Sequence, residues 1–299
     1  MSVIKNVTLV GGSGHLGACV LEKLVASQKF NVRVLKRAGS SSSYLAGAEV
    51  IEADFASLES LKAGFQDQDA VVSIVGEAGI PGQKLMVDAA IAAGVKRFLP
   101  SNFGSNMANP NARQLPVFAH KVAVEEYLIE KSKASALTYT FVYNGGFLDF
   151  CLQNNILLDI SKYQPKLFDG GDYTFSSTTM PAVGDAVVGV LTHPVETQNR
   201  AVYVSEVVTS QNRVLALAKQ LAPSKPWEPV NVDLDRLFTA SREKFVQGQH
   251  DLSTVVPILI KSMLSPEFGG RFDVNDNKLL GIEEKSEEFV LDLLRPLLK

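Results

Sequence analysis

A glycine-rich loop set between a strand and a helix constrains this chain more than any other feature. Residues 7–10, Val7-Thr8-Leu9-Val10, have the continuous β-forming character of a strand covered on both faces. They run into Gly11-Gly12-Ser13-Gly14-His15-Leu16-Gly17, after which the spacing changes. Leu16, Val20, Leu21, Leu24 and Val25 recur at three and four residues, which predicts a helix over 15–27. Glycines at this junction permit a tight turn and a close backbone approach, and the helix start offers unpaired N–H groups to a pyrophosphate. The loop is therefore expected to cradle a dinucleotide through Gly11, Ser13, Gly14, His15, Leu16 and Gly17. A bare glycine turn is the alternative, and the flanking strand and helix argue against it.

The same alternation continues through the first half of the chain. Strands are predicted at 32–35, 49–52, 70–75, 96–99 and 138–143, and helices at 58–65, 82–93 and 117–131. Gly94 is placed to cap the third helix and Pro116 to open the fourth. Such βαβ repetition predicts an α/β fold, a Rossmann-type doubly wound parallel sheet. After about residue 150 the alternation weakens. Gly170-Gly171-Asp172-Tyr173 suggests a hairpin-like turn, and helices are expected near 184–191, 210–221, 234–247, 252–263 and 286–294, with a strand at 201–204. Two units are expected: an NADP-binding domain over 1–150, and over 151–299 a smaller C-terminal substrate-covering lobe that partly completes the sheet.

The end of the second strand narrows the cofactor. An NAD site usually places an acid about 20 residues beyond the loop, on the ribose 2′-hydroxyl. Here the strand ends in Lys36-Arg37. A guanidinium can pair bidentately with a 2′-phosphate, which a carboxylate would repel. NADPH is therefore expected, with Arg37 as the main phosphate ligand and Lys36 and Ser40 assisting; two solvated surface cations are the alternative. Asp54 is open to two readings, an adenine neighbour or a helix cap. Ser73, Val75 and Gly76 end the fourth strand, where ligands of open parallel sheets bind.

Composition removes other function classes. The 299 residues carry a net charge of -3 and 46% hydrophobic residues, which gives no electrostatic case for nucleic acid and ample material for a core. The two cysteines, Cys19 and Cys151, form no CxxC or Cys/His cluster, so neither a disulfide framework nor a metal site is expected. No signal-peptide layout and no run near ~18 apolar residues is visible, so the expected protein is cytoplasmic and makes no membrane contact. A homodimer is left open.

Three segments together resemble a known family. The Gly11–Gly17 loop, Leu35-Lys36-Arg37, and Arg97-Phe98-Leu99-Pro100-Ser101-Asn102-Phe103-Gly104 are similar to those of NmrA-like proteins. The likeness is greatest to the isoflavone reductase and phenylcoumaran benzylic ether reductase group of atypical short-chain dehydrogenases. It covers roughly residues 4–150 with specific motifs and continues more loosely beyond. The family's Phe-Leu-Pro-Ser-Glu-Phe-Gly segment has Asn102 in place of its glutamate, which puts the detail of substrate hydrogen bonding in question. The resemblance implies that Ser101, Asn102 and Phe103 border the cofactor and that Lys121, at the position of the family's catalytic lysine, serves both cofactor and chemistry. It implies an NADPH-dependent reductase of small aromatic or polycyclic, alkaloid-like secondary metabolites, with isomerisation or rearrangement coupled to reduction as a variant. It also admits a nonenzymatic, NADP(H)-binding redox-sensing regulator.

The residues themselves leave the chemistry sparse. Tyr127 and Lys131 match the Tyr-x-x-x-Lys pattern of ordinary short-chain dehydrogenases, but they fall at the far end of their helix, among Glu125, Glu126 and Glu130. They are read as a decoy. Aligning Lys121 with the usual lysine puts Val117 at the tyrosine position, so the usual acid is missing. A partly desolvated Lys121 would have a depressed pKa suited to proton transfer; an exposed helix lysine is the plain alternative. His120 points elsewhere on the helix, and His193 and His250 read as surface residues. Phe103, Tyr143, Asn144, Phe147 and Phe150 are expected to flank the crevice and hold a flat substrate, although any one aromatic could equally be core.

Overall fold

The computed structural model describes residues 3–298; Met1, Ser2 and Lys299, the outermost residues of the two expected units, lie outside it. The first half runs β1 (Asn6–Val10), α1 (His15–Ala26), β2 (Asn31–Arg37), β3 (Glu49–Ala53), α2 (Leu58–Gly64), β4 (Ala70–Ser73), α3 (Gln83–Ala92) and β5 (Arg97–Leu99). There follow α4 (Pro110–Arg113), α5 (Ala119–Lys133), β6 (Thr138–Tyr143), β7 (Gly146–Phe147) and α6 (Leu148–Gln153). The second half comprises β8 (Lys166–Phe168), β9 (Phe175–Thr178), α7 (Met180–Thr192), β10 (Arg200–Tyr203), β11 (Val207–Thr209) and α8 (Gln211–Leu221). It ends with β12 (Val230–Val232), α9 (Leu234–Val246), α10 (Leu252–Leu264), α11 (Asn277–Leu280) and α12 (Glu287–Leu294).

The central sheet has seven strands in the order β10-β6-β5-β4-β1-β2-β3, and every pairing in it is parallel. Apart from β10 this is the Rossmann order, reversing direction between β1 and β4. Because side chains alternate along a strand, each strand feeds two cores. Val7 and Leu9, Val32 and Val34, Ala70 and Val72 face α1 and α7, where Val20, Leu24, Val183 and Val187 are buried. Val10, Leu35, Val71, Phe98, Phe141 and Tyr143 face the other way, onto α2, α3 and α5. Burial on both faces explains why the strands read as nearly unbroken apolar runs.

Residues beyond 150 contribute more to this unit than their weakened alternation suggests. Helix α7 packs on α1, and β10 extends the sheet beyond β6 with Arg200 opposite Thr140. The nucleotide-binding layer therefore reclaims residues 180–203, because α1 needs a helical neighbour and β6 would otherwise be an open edge. Conversely, β7, before residue 150, joins β9 and β11 in a separate three-stranded sheet. Around that sheet a third core gathers α6, α8, α10 and α12 through Leu148, Leu152, Leu215, Ile260 and Leu291.

The turn expected at Gly170 is a 3-10 turn over Asp169–Gly171, with Gly170 at φ +84°. It does not close a hairpin, since β8 pairs with β12 and β9 with β7 and β11. Arg97 clamps the start of β5: its buried guanidinium donates to Thr138 and Thr140 on β6 and to Thr197, and burial lowers its pKa to about 10. Cys19 and Cys151 are both free thiols. None of the described helices is long and apolar enough to cross a membrane.

Candidate active site

The loop after β1 is built around two glycine contacts. Gly11 has φ +87°, and a Cβ there would lie 2.2 Å from the Ile74 carbonyl oxygen. A Cβ at Gly17 would lie 2.1 Å from the Gly11 carbonyl oxygen, so the first turn of α1 presses on the loop itself. Gly14 differs. Its φ is -74°, and a Cβ there would meet only the Gly11 carbonyl oxygen at 3.8 Å, while a Cβ at Gly76 would meet nothing within 4 Å. Nothing in the protein's own packing demands glycine at these two positions. They border open space that a bound molecule would use, which fits a phosphate cradle at a helix N-terminus.

That space continues into a cleft of about 350 Å³ lined by Gly14, His15, Leu16 and Gly17 from the loop, by residues 74–76, and by Ser101, Phe103, Phe147, Phe150 and Met180. These segments all follow the carboxyl ends of strands or lead into α6 and α7, at the reversal point between β1 and β4. The His15 and Phe150 rings approach to 5.7 Å across the mouth. Ser101 ties two strand ends together: its hydroxyl donates to the Val75 carbonyl at 2.8 Å, and its N–H donates to the buried Gln83 Oε1 at 2.8 Å. Lys121 is half-buried on α5 and donates to the Phe103 carbonyl at 3.3 Å. It thus meets the cleft through the backbone of a lining residue. Burial pulls its pKa below the ordinary lysine range, and the carboxylates of Glu77 and Glu125 partly restore it.

At the far end, Arg37 closes β2 with its side chain exposed. Lys36 is already engaged, with Nζ 2.9 Å from Glu52 and donating to the Ser40 carbonyl at 3.0 Å. Of the two cations, Arg37 is the more exposed. Asp54 neither caps α2, which Ser57 does, nor is buried; its Oδ1 accepts from the Ala56 N–H at 2.9 Å in a local turn.

Three residues expected at the crevice stand elsewhere. Tyr143 follows Tyr139 and Phe141 on the alternate face of β6, so parity turns it toward α5. There its buried hydroxyl donates to Glu125 at 2.6 Å. Asn144 is fully buried, and its amide donates to the Gly145 carbonyl at 3.1 Å. Asn102 is fully buried too, and donates to Glu125 at 2.5 Å. Neither Tyr143, Asn144 nor Asn102 lines the cleft, unlike Phe103, Phe147 and Phe150.

Glu125, one of the three glutamates around Tyr127, is 1% exposed. Its signal was its spacing: with Val124 and Leu128 it falls on the buried stripe of α5, four residues beyond Lys121. Glu126 and Glu130, by contrast, are exposed. The Tyr127–Lys131 pair stands away from the cleft, with the Tyr127 hydroxyl on Asp88 at 2.7 Å and the Lys131 ammonium 5.0 Å from the Tyr127 ring. His120 is exposed, and no cluster of metal-ligating residues occurs among the described residues.

Known proteins share both this sequence and this architecture. The NmrA-like family profile matches residues 4–225. The oxidoreductase poxI of Penicillium oxalicum is 32% identical, over 96% of this chain and 92% of its own length. Among solved structures, an isoflavone reductase superposes with a TM-score of 0.80 over 99% of this chain and all of its own, at 19% identity. AtPrR2 with NADP+ and (+)-pinoresinol superposes with a TM-score of 0.79 over the whole of both chains, at 20% identity. The chain belongs to the NmrA-like family.

Proposed function

We propose that this protein is an NADPH-dependent reductase that delivers hydride to a small aromatic or polycyclic metabolite. The observation that carries the reading is the cleft: an aromatic-walled space opening directly from the glycine loop, with a half-buried lysine bonded to its wall. The relative named as an oxidoreductase, and the structure of the same fold with NADP+ and (+)-pinoresinol, support it. In this reading Gly11 to Gly17 receive the pyrophosphate, and Arg37 receives the 2′-phosphate as a bidentate cation. Residues 74–76 and 101–103 border the nicotinamide half. When bound, NADPH supplies the hydride, and the protein supplies orientation and charge.

Phe103, Phe147 and Phe150 would hold a flat substrate and exclude water, which strengthens any charge interaction in the cleft. The Lys121 ammonium is the titratable group best placed to hold a proton there. Its depressed pKa makes that proton easier to release than from a solvated lysine.

The experiment is NADPH consumption, followed by absorbance, across a panel of phenolic and alkaloid-like compounds, with Lys121→Ala as control. Turnover that depends on Lys121 supports the reductase. Tight NADPH binding with no turnover of any compound returns the reading to a nonenzymatic NADP(H) sensor.

A further inference from the structure

Glu125 is a buried carboxylate that the chemistry above does not use. Its Oε1 accepts from the Asn102 amide at 2.5 Å and from the Tyr143 hydroxyl at 2.6 Å, and its Oε2 accepts from the Arg113 guanidinium at 2.7 Å. These partners come from three places: the loop after β5, the end of α4, and the end of β6. Burial pushes the Glu125 carboxyl above the usual carboxylate range, and these three donors, the Arg113 charge among them, oppose that shift and support the ionised acid.

We propose that Glu125 is a positioning residue: by gripping Asn102 it fixes the loop of residues 100–104, and so sets where the Lys121 ammonium stands beside the cofactor cleft. The chain of contacts is short. Asn102 is followed by Phe103, whose ring lines the cleft and whose carbonyl accepts from Lys121. Glu125 and Lys121 lie four residues apart on α5, one turn along the same face. One helix thus braces one loop twice, through a carboxylate on the side chain of Asn102 and an ammonium on the carbonyl of Phe103. The Asn102 Oδ1 is buried without a partner, so donation to Glu125 is the interaction its amide serves.

This grip also constrains which side chain position 102 can carry. An acid at 102 would face Glu125 at hydrogen-bond distance, and two carboxylates that close cannot both ionise. An amide at 102 is what an acid at 125 requires, so the two positions are coupled in this chain.

Electrostatics run the same way. The carboxylates facing Lys121 are Glu77, on the turn after β4, and Glu125; both raise a pKa that burial lowers. Around Glu125 the facing groups are Arg113, with Glu126 on its other nitrogen, and Tyr143. The phenol of Tyr139 is pushed up by burial and by Glu125, and that of Tyr203 by burial, then Asp276, then Glu125. Removing the Glu125 charge leaves Lys121 with Glu77 as its remaining acidic support, so its proton should leave at lower pH.

The inference rests on Lys121 serving the cofactor cleft, but its test needs no turnover. Lysines are reductively dimethylated with 13C-formaldehyde, and the Lys121 resonance is assigned by its loss in Lys121→Arg. Glu125→Gln is expected to titrate Lys121 at lower pH and to weaken NADPH binding severalfold, read by NADPH fluorescence. Glu130→Gln, altering an exposed acid of the same helix, is expected to change neither. Asn102→Glu is expected to melt below the native protein and bind NADPH more weakly. The double variant Asn102→Glu/Glu125→Gln, with one acid and one amide again across the contact, is expected to regain most of both losses.

An unchanged Lys121 titration in Glu125→Gln overturns the proposal, as does a double variant no better than Asn102→Glu. Should Glu125→Gln fail to fold, Asn102→Ala carries the test by releasing the grip and keeping the acid. Native NADPH affinity together with a native Lys121 titration in Asn102→Ala overturns it equally. None of these readouts depends on reductase activity, so failure here and failure to find a substrate are separate results.

Discussion

Lys121 donates to the carbonyl of Phe103 at 3.3 Å, so the residue that walls the cleft with its ring also tethers the lysine through its backbone. The tether orients the ammonium without neutralising it, since a carbonyl carries no formal charge. Lys121→Ala is expected to lower kcat by about 100-fold or more, the usual contribution of a positioned acid or base. The Kd for NADPH should change by a much smaller factor. Equal losses in kcat and in NADPH affinity would reassign Lys121 to binding.

The charge state of Lys121 gives a pH signature. Its ammonium form exists below its pKa and is lost as pH rises through it. Burial lowers that pKa, and Glu77 and Glu125 only partly restore it. The alkaline limb of kcat/KM should therefore begin below the range of a solvated lysine. Lys121→Arg, which stays charged throughout, should retain residual activity without that limb. A profile with the same limb in both proteins would assign it to another group.

Cofactor preference is expected to depend on Arg37, exposed at the end of β2 beside a Lys36 already paired with Glu52. Arg37→Glu removes a charge-assisted pair and adds repulsion toward a 2′-phosphate. The expected loss is about 2–3 kcal/mol, or roughly 30- to 150-fold in Kd for NADPH. NADH binding should change little. Fluorescence titration with both cofactors measures the ratio, and an unchanged NADPH Kd would remove Arg37 from the site.

Two glycines of one loop should fail in different ways. A Cβ at Gly17 would stand 2.1 Å from the Gly11 carbonyl oxygen, a backbone atom, so Gly17→Ala must displace α1 from the loop. It should cost on the order of 3 kcal/mol and appear as a lower Tm. A Cβ at Gly14 meets only one atom, at 3.8 Å, so Gly14→Ala should melt like the native protein. Its methyl group would intrude on the cradle and weaken NADPH binding. Thermal melts paired with binding isotherms separate the two, and a Gly14→Ala protein with native affinity would place the pyrophosphate elsewhere.

Much of this arrangement was legible one strand at a time. The switch from strand to helix spacing around Gly11 and Gly17 located the loop, and the successive apolar runs gave a parallel sheet. The placement of Phe103, Phe147 and Phe150 at the cleft follows from their position after strand ends. Tyr143 also closes a strand, yet strand parity rather than nearness to the strand end decides its direction. Its shared face with Tyr139 and Phe141 turns it to α5, and that alternation was already present in the sequence.

What the sequence determined by itself is local: periodicity, turn chemistry and the cation closing β2 each act within a few residues, and together they specify the glycine loop and the layers that flank it. What only the tertiary structure decided depends on residues far apart in the chain. Helix α7 and strand β10 return to a unit that local alternation ended near residue 150, because packing on α1 and pairing with β6 are long-range contacts. The donors that hold the buried Glu125 carboxylate, Asn102, Arg113 and Tyr143, are brought together only by the fold. Helical spacing places Glu125 on the buried stripe of α5, but the donors that compensate its charge come from separate elements, and no periodicity in a single helix reports them.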